Sequence, residues 1–175
     1  MSLVSLAGTV TAVSASGQTG QWNANGPNYD NGSIGTNWSN AQTEIDSSAE
    51  WVNDGYVGSR TNGTTLVYTQ LIYVTGTPTG NTIVAMCSDT CQVQVNGNTV
   101  KAYDTSCTEY YGGCDTIGNR FNTKYTGTNV SGFVSGWNVV TFTTKKVMQT
   151  APQGASTYSG VAYKVSVTYS TTCGC

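Results

Sequence analysis

Six cysteines, nine carboxylates and a set of loop tyrosines are the groups in this 175-residue chain with chemistry to offer, and histidine is absent. Without an imidazole the commonest general base and metal ligand is missing, so Ser/His and Cys/His nucleophilic mechanisms are excluded. The cysteines fall as Cys87-x3-Cys91, Cys107-x6-Cys114 and Cys173-Gly174-Cys175. An even count in local pairs points to disulfides, with the connectivity left open. Cys87 and Cys91 flank Ser88-Asp89-Thr90, which reads as a three-residue hairpin loop that brings the two Cβ atoms near bonding range. Zinc held by thiolates is the weaker reading, because none of the spacings is C-x2-C. Cys173 and Cys175 suit a bond to another subunit, or a pairing within their own chain.

Carboxylates gather loosely at Glu44, Asp46, Glu50 and Asp54. Glu50, Asn53 and Asp54, around the turn Asn53-Asp54-Gly55, supply the oxygen ligands that a structural calcium ion takes, although the spacing is not that of an EF-hand. Turn capping accounts for the same residues equally well. Paired-carboxylate glycoside cleavage needs two acids at a defined separation with different pKa values, and nothing in the spacing supplies that. No catalytic residue is assigned, and no cofactor beyond the calcium. Aromatic residues in expected loops, Trp22, Tyr29, Trp38, Tyr56, Tyr103, Tyr110 and Tyr111, could stack on sugar rings while neighbouring amides bind hydroxyls. Tyr103 and the run Tyr110-Tyr111-Gly112-Gly113 are the sugar-binding candidates. The other reading is that such rings plug gaps between strands or subunits. Sequons at Asn31, Asn37, Asn62 and Asn129 are expected by chance in a chain this rich in Asn, Ser and Thr.

These groups must be positioned by a chain with only 9% charged residues and a net charge of −2. Seven Lys and Arg cannot form a basic stripe, which excludes a nucleic-acid partner. No apolar run approaches the roughly 18 residues that cross a bilayer, so membrane insertion is not expected. Thr, Gly, Ser and Asn dominate, Val and Tyr are frequent, and the main helix formers are scarce, which makes the chain all-β.

Leu3–Val13 reads as a strand with Val4, Leu6, Val10 and Ala12 on one face. It is not expected to be a secretory signal, because no positive n-region is seen and Gly8, Thr9 and Thr11 interrupt the apolar stretch. From Ser14 to about Ala49 the chain is Gly, Asn and Ser with isolated aromatics, too little apolar area to offset about 1–2 kcal/mol per residue of backbone entropy. Such an arm must be held by the body of its own subunit or by a neighbour. Further strands are expected over 64–74, 82–87, 91–96, 137–147 and 160–169, separated by turn clusters such as Asn96-Gly97. Tyr163, Val165, Val167 and Tyr169 alternate with Lys164, Ser166 and Thr168, as in a strand with one buried side.

The expected architecture is an antiparallel jelly-roll-like β-sandwich with an extended N-terminal arm. The strand and arm occupy 1–48, the sandwich 49–170 and a Cys-containing tail 171–175. The segments 49–57, 66–74, 83–97, 136–142 and 160–165, in that order, resemble the galactose-binding-like β-sandwich over about 49–169. That resemblance implies a jelly-roll-like fold that often binds sugars through its end loops, sometimes beside a structural calcium ion. The polar arm and the cysteines depart from its pattern, and a fold by itself does not fix function.

Low charge, many neutral hydrogen-bonding side chains, the arm and the terminal thiols favour a building block over an enzyme. The leading expectation is a structural subunit of an extracellular fibre, appendage or virion surface. It would assemble with copies of itself by adding the strand containing Leu3, Val4, Leu6 and Val10 to the next subunit's sheet edge, with disulfide cross-links. The alternative is a carbohydrate-binding module without catalytic activity. Disulfides without a visible signal peptide place the chain outside the cell or on a particle surface, such as a virion or spore-type appendage.

Overall fold

Period-two alternation of Val, Tyr and Ile with Thr, Lys and Gln builds two antiparallel sheets that bury their apolar sides against each other. The computed structural model describes residues 3–14, 41–52, 63–88, 90–103, 124–145 and 160–174. Its elements are β1 (Leu3–Val13), a single helical turn α1 (Ala41–Glu44), β2 (Thr65–Val74), β3 (Thr77–Ser88), β4 (Thr90–Val95), β5 (Asn98–Lys101), β6 (Tyr125–Thr128), β7 (Gly136–Lys145) and β8 (Gly160–Gly174). The first sheet has the order β1-β8-β3-β6 and the second β2-β7-β4-β5. This is the all-β, jelly-roll-like sandwich that the sequence pattern calls for.

Between the layers lie Ile72 and Val74 of β2, Ile83 and Ala85 of β3, Val93 and Val95 of β4, Val140 and Phe142 of β7, and Val161, Tyr163, Val165 and Val167 of β8. All are buried, and the Phe142 and Tyr163 rings stack across the two layers at 4.4 Å. Tyr163 also donates its hydroxyl hydrogen to Gln70 Oε1 on the opposite sheet at 2.8 Å. The apolar residues spaced two apart along β8 therefore fill the core from one side. Pro78 sits at a register shift in β3, where its missing N–H interrupts the ladder least.

Three expectations change in the structure. The segment around Cys87 and Cys91 is not a hairpin. β3 pairs with β8 and β6 while β4 pairs with β7 and β5, so the chain crosses from one sheet to the other at this point. The Cys87–Cys91 disulfide, with Cα atoms 5.8 Å apart, closes that corner and fastens the two layers together. Second, β1 is not part of a separate arm: it is the outermost strand of the first sheet, paired residue by residue with β8 from Leu3↔Gly174 to Val13↔Lys164. The strand expected to add to a neighbouring subunit thus has one side filled by its own chain. Third, 171–174 are no tail, since β8 continues through them and Cys173 stands opposite Val4. Cys107, Cys114 and Cys175 lie outside the described residues.

The outer side of the first sheet is covered at one end. Ala49 and Trp51, both fully buried, pack with Met86 of β3 and Ala162 of β8, with Val13 and Ile45 alongside. Val52 bridges to Val161, and buried Ser14 ties three pieces together: its N–H donates to Tyr163 O, its hydroxyl accepts from Tyr163 N–H at 2.8 Å, and its carbonyl accepts from Glu50 N–H at 2.7 Å. Asp46 adds the polar clasp. Its carboxylate takes a hydrogen bond from Lys164 Nζ at 2.8 Å and two from Ser48, through the backbone N–H and the hydroxyl.

The Lys164 ammonium first, and the Ser48 donors after it, hold the Asp46 carboxyl down to about 2 from its ordinary 3.8. A carboxyl with a depressed folded-state pKa stabilises above its unfolded pKa, and that stabilisation is lost as pH falls through the folded value. Asp46→Asn is therefore expected to lower stability by roughly 1 kcal/mol at neutral pH, after allowance for solvent screening. The gap between variant and parent should narrow below about pH 4 and nearly close by pH 2. Urea midpoints of both proteins across this range check it, and a gap that is constant with pH contradicts the clasp.

Candidate functional site

The outer side of the second sheet carries what the first sheet's covered side does not, a row of exposed large apolar side chains. β2 reads Thr-Leu-Val-Tyr-Thr-Gln-Leu-Ile-Tyr-Val, apolar on both of its alternating faces. That pattern belongs to a strand covered on both sides. Here Ile72 and Val74 face the core, while Val67, Leu71 and Tyr73 point outward and are exposed. The antiparallel register sets Tyr73 opposite Trp137, Leu71 opposite Val139, Thr69 opposite Thr141 and Val67 opposite Thr143. The next strand adds Gln94 opposite Thr141 and Gln92 opposite Thr143.

At one end of this face Trp137 is 66% exposed and Tyr73 51%, and their rings meet edge to face at 5.1 Å with an interplanar angle of 68°. A contiguous exposed apolar patch with a polar border is the surface signature of an interaction site. Towards the other end stands Tyr103, half-buried beside β7. Burial raises the pKa of its phenol, with a hydrogen bond to Thr143 opposing the rise, and Lys145 Nζ lies 5.8 Å from its ring centre. From Trp137 to Thr143 is six residues of strand, about 20 Å.

The Trp137 end is set by two asparagines. Asn138, fully buried, donates from Nδ2 to the carbonyls of Val134 at 2.8 Å and Gly136 at 3.0 Å. Its Oδ1 accepts from Val134 N–H and from Asn96 Nδ2, each at 2.9 Å. Asn96 in turn gives Nδ2 to Gly132 O and accepts Val139 N–H on Oδ1, both at 2.8 Å. Asn96 (φ 49°) and Gly97 (φ 81°) form the tight turn between β4 and β5, the Asn-Gly hairpin signal noted in the sequence. Gly136, at φ 95°, lets the backbone leave the loop directly into Trp137. The buried Asn138 amide, with the exposed Asn96 amide bonded to it, thus fixes the 131–136 loop and the indole that follows it, and every polar side-chain atom of Asn138 is satisfied.

Between the rings the face is neutral: Thr69, Thr141, Thr143, Gln92 and Gln94 offer hydroxyls and amides, and the nearest charge among the described residues of this row is Lys145 at its far end. Such a surface can stack on a ring or an apolar C–H face and exchange neutral hydrogen bonds. It holds no pair of acids or activated nucleophile among its described residues.

Other candidates fall elsewhere. Glu50 lies in the segment over the first sheet, while Asn53 and Asp54, its expected partners around calcium, lie outside the described residues. Among the described residues no group of three or more metal-binding side chains comes together. Tyr110 and Tyr111 are likewise outside them. Tyr103 is beside the face, whereas Trp137 and Tyr73 were not singled out by the sequence. The signal that could have found them is the absence of a polar side in the run 66–74.

No family model and no curated protein matches the chain. Among solved structures it is similar to a family 35 carbohydrate binding module from Clostridium thermocellum, at 14% identity and TM-score 0.37, covering 95% of this chain and 98% of that one. It is also similar to the CBM36-1 domain of a multidomain xylanase from the hindgut metagenome of Trinervitermes trinervoides, at 14% identity and TM-score 0.36, covering 91% and 96%. The assignment as a β-sandwich stands on the two sheets themselves, and the candidate site on the outward residues of β2 and β7.

Proposed function

We propose that the chain is a non-catalytic binding module that takes a neutral glycan along the outer side of its second sheet. The observation that carries this reading is the exposed Trp137–Tyr73 pair, fixed at its base by the buried Asn138 amide and continued by a charge-free row of Thr and Gln. A pyranose ring has an apolar C–H face for an indole and hydroxyls for neutral amides, so its chemistry matches the row better than that of a charged ligand. Tyr103, bonded to Thr143 about 20 Å along the strand from Trp137, suits an extended chain of sugars more than a single one. The inter-layer disulfide supports a working place in an oxidising compartment, outside the cell or on a particle surface.

Affinity electrophoresis of the full chain in gels containing soluble cellulose, xylan, mannan, galactan or a polyuronate tests the proposal. Retardation by at least one neutral polymer is expected, with little by the polyuronate. Trp137→Ala should weaken that binding about 30-fold, the loss of an anchor of about 2 kcal/mol, and leave the melting temperature nearly unchanged because the ring is mostly in water. Failure of every neutral polymer to bind, or binding indifferent to Trp137→Ala, contradicts the reading.

A further inference from the structure

A different part of the molecule, the outer side of β1, carries an inference that does not depend on glycan binding. β1 ends the first sheet, and among the described residues nothing pairs with its outer side. Natural edge strands are blunted by shortness, charge, proline or bulges. β1 has none of these. It is 11 residues long, its sequence Leu-Val-Ser-Leu-Ala-Gly-Thr-Val-Thr-Ala-Val holds no charge and no proline, and its register with β8 is unbroken.

The other flank of the sandwich is built in the opposite way. There the end strands β6 and β5 are four residues each, with Lys124 preceding the first and Lys101 within the second. On the β1 flank, β2 ends the second sheet beside β1, again without charge or proline along its 10 residues. Among the described residues, one flank is protected against strand pairing and the other is open to it. Leu6 adds an apolar signal: it shares the side of β1 on which Val10 and Ala12 reach the core, yet it is 58% exposed.

We propose that β1 pairs antiparallel with β1 of a second copy across a two-fold axis, joining two four-stranded sheets into one of eight. An uncharged strand calls for an uncharged partner, and an identical strand meets that need by an isologous contact. The area suffices. A strand of this length is about 35 Å long, and two layers stacked about 10 Å apart make a flank that buries roughly 1,200 Å² in total, at the lower bound of stable interfaces. β1 thus acts between subunits through its outer side while its other side stays in its own sheet, a refinement of the strand addition to the next subunit's sheet edge expected from the sequence.

Sedimentation velocity of the full chain from micromolar to near-millimolar concentration reads this directly. The expected species is a dimer of twice 18.4 kDa that dissociates on dilution. Ala7 and Thr9 are exposed on either side of Gly8, the middle of β1, so lysines at both positions face each other across the axis. Ala7→Lys/Thr9→Lys should raise the dimer dissociation constant at least about tenfold, with the melting temperature of the monomer retained. Trp137→Ala should leave dimerisation as it was. A parent that stays monomeric at the highest concentration overturns the proposal. So does a dimer that resists the lysines, and so does one that depends on Trp137, since each assigns the contact to another surface or to none.

Discussion

Trp51→Ala is expected to lower the unfolding free energy by about 3–5 kcal/mol, among the largest effects of any single truncation in this chain. The indole is fully buried against Met86, Ala162 and Ala49, over the outer side of the first sheet. Two of those neighbours are alanines, with no flexible side chain to collapse into the space left behind, so the cavity term is retained along with the lost transfer energy. The effect also propagates along the chain, because Trp51 sits between Glu50, bonded to Ser14, and Val52, bridged to Val161. Trp51→Phe should recover a large part of the loss, since an aromatic ring still fills most of the site. Guanidinium unfolding followed by circular dichroism checks both variants. A loss under about 1 kcal/mol for the alanine variant would mean that the 45–52 segment does not lock onto the sheet.

Asn138→Asp is expected to be nearly as damaging at neutral pH, at about 3 kcal/mol or more, although it changes one atom. The amide Nδ2 that serves the carbonyls of Val134 and Gly136 becomes an oxygen facing two oxygens, in a site with no exposure. A carboxylate there is disfavoured by burial and by both carbonyl dipoles, so its folded-state pKa rises above the unfolded value. For such a group the folded state is favoured at low pH and loses ground as pH increases, the reverse of Asp46. The variant should therefore regain part of its stability between neutral pH and about pH 4. It does not regain all, because one O–H replaces two N–H donors. Paired denaturation curves at the two pH values read the difference, and a penalty independent of pH would mean that the side chain has swung out of its network.

Much of the sandwich was legible before the structure. Alternation along 160–169 identified β8 and its buried side, and Asn96-Gly97 announced the β4–β5 turn. What alternation does not contain is the identity of a strand's neighbour. Residues 83–97 look like two strands and a short loop whether the strands pair or part, and only the partners β8 and β7 decide that the chain crosses between layers at Cys87 and Cys91. The same gap misplaced β1: its pattern fits an inserted edge strand in any sheet, and the pairing with β8, a contact across nearly the whole chain length, is a tertiary fact.

The candidate site was hidden for a related reason. The sugar-binding candidates were sought among aromatic residues in expected loops, and Tyr73 and Trp137 lie in expected strands. In β2 both alternating sets are apolar, and period two alone does not say which set faces inward. Ile72 and Val74 joined the core between the sheets, and Tyr73 was left outside with Trp137. Asn138 gave no sequence signal either, as its role depends on a loop carbonyl pair that forms only when the strand is placed.

The most direct test of the central claim, that the outer side of β2 and β7 is the ligand surface, is a 1H–15N NMR titration of the full chain with cellohexaose, xylohexaose and mannohexaose in turn. The account predicts that at least one of them shifts the Trp137 indole N–H and the amides of Tyr73, Val139 and Thr141, while the indole signal of buried Trp51 stays in place. Shifts confined to the first sheet or to other segments, or none with any of the sugars, would contradict it.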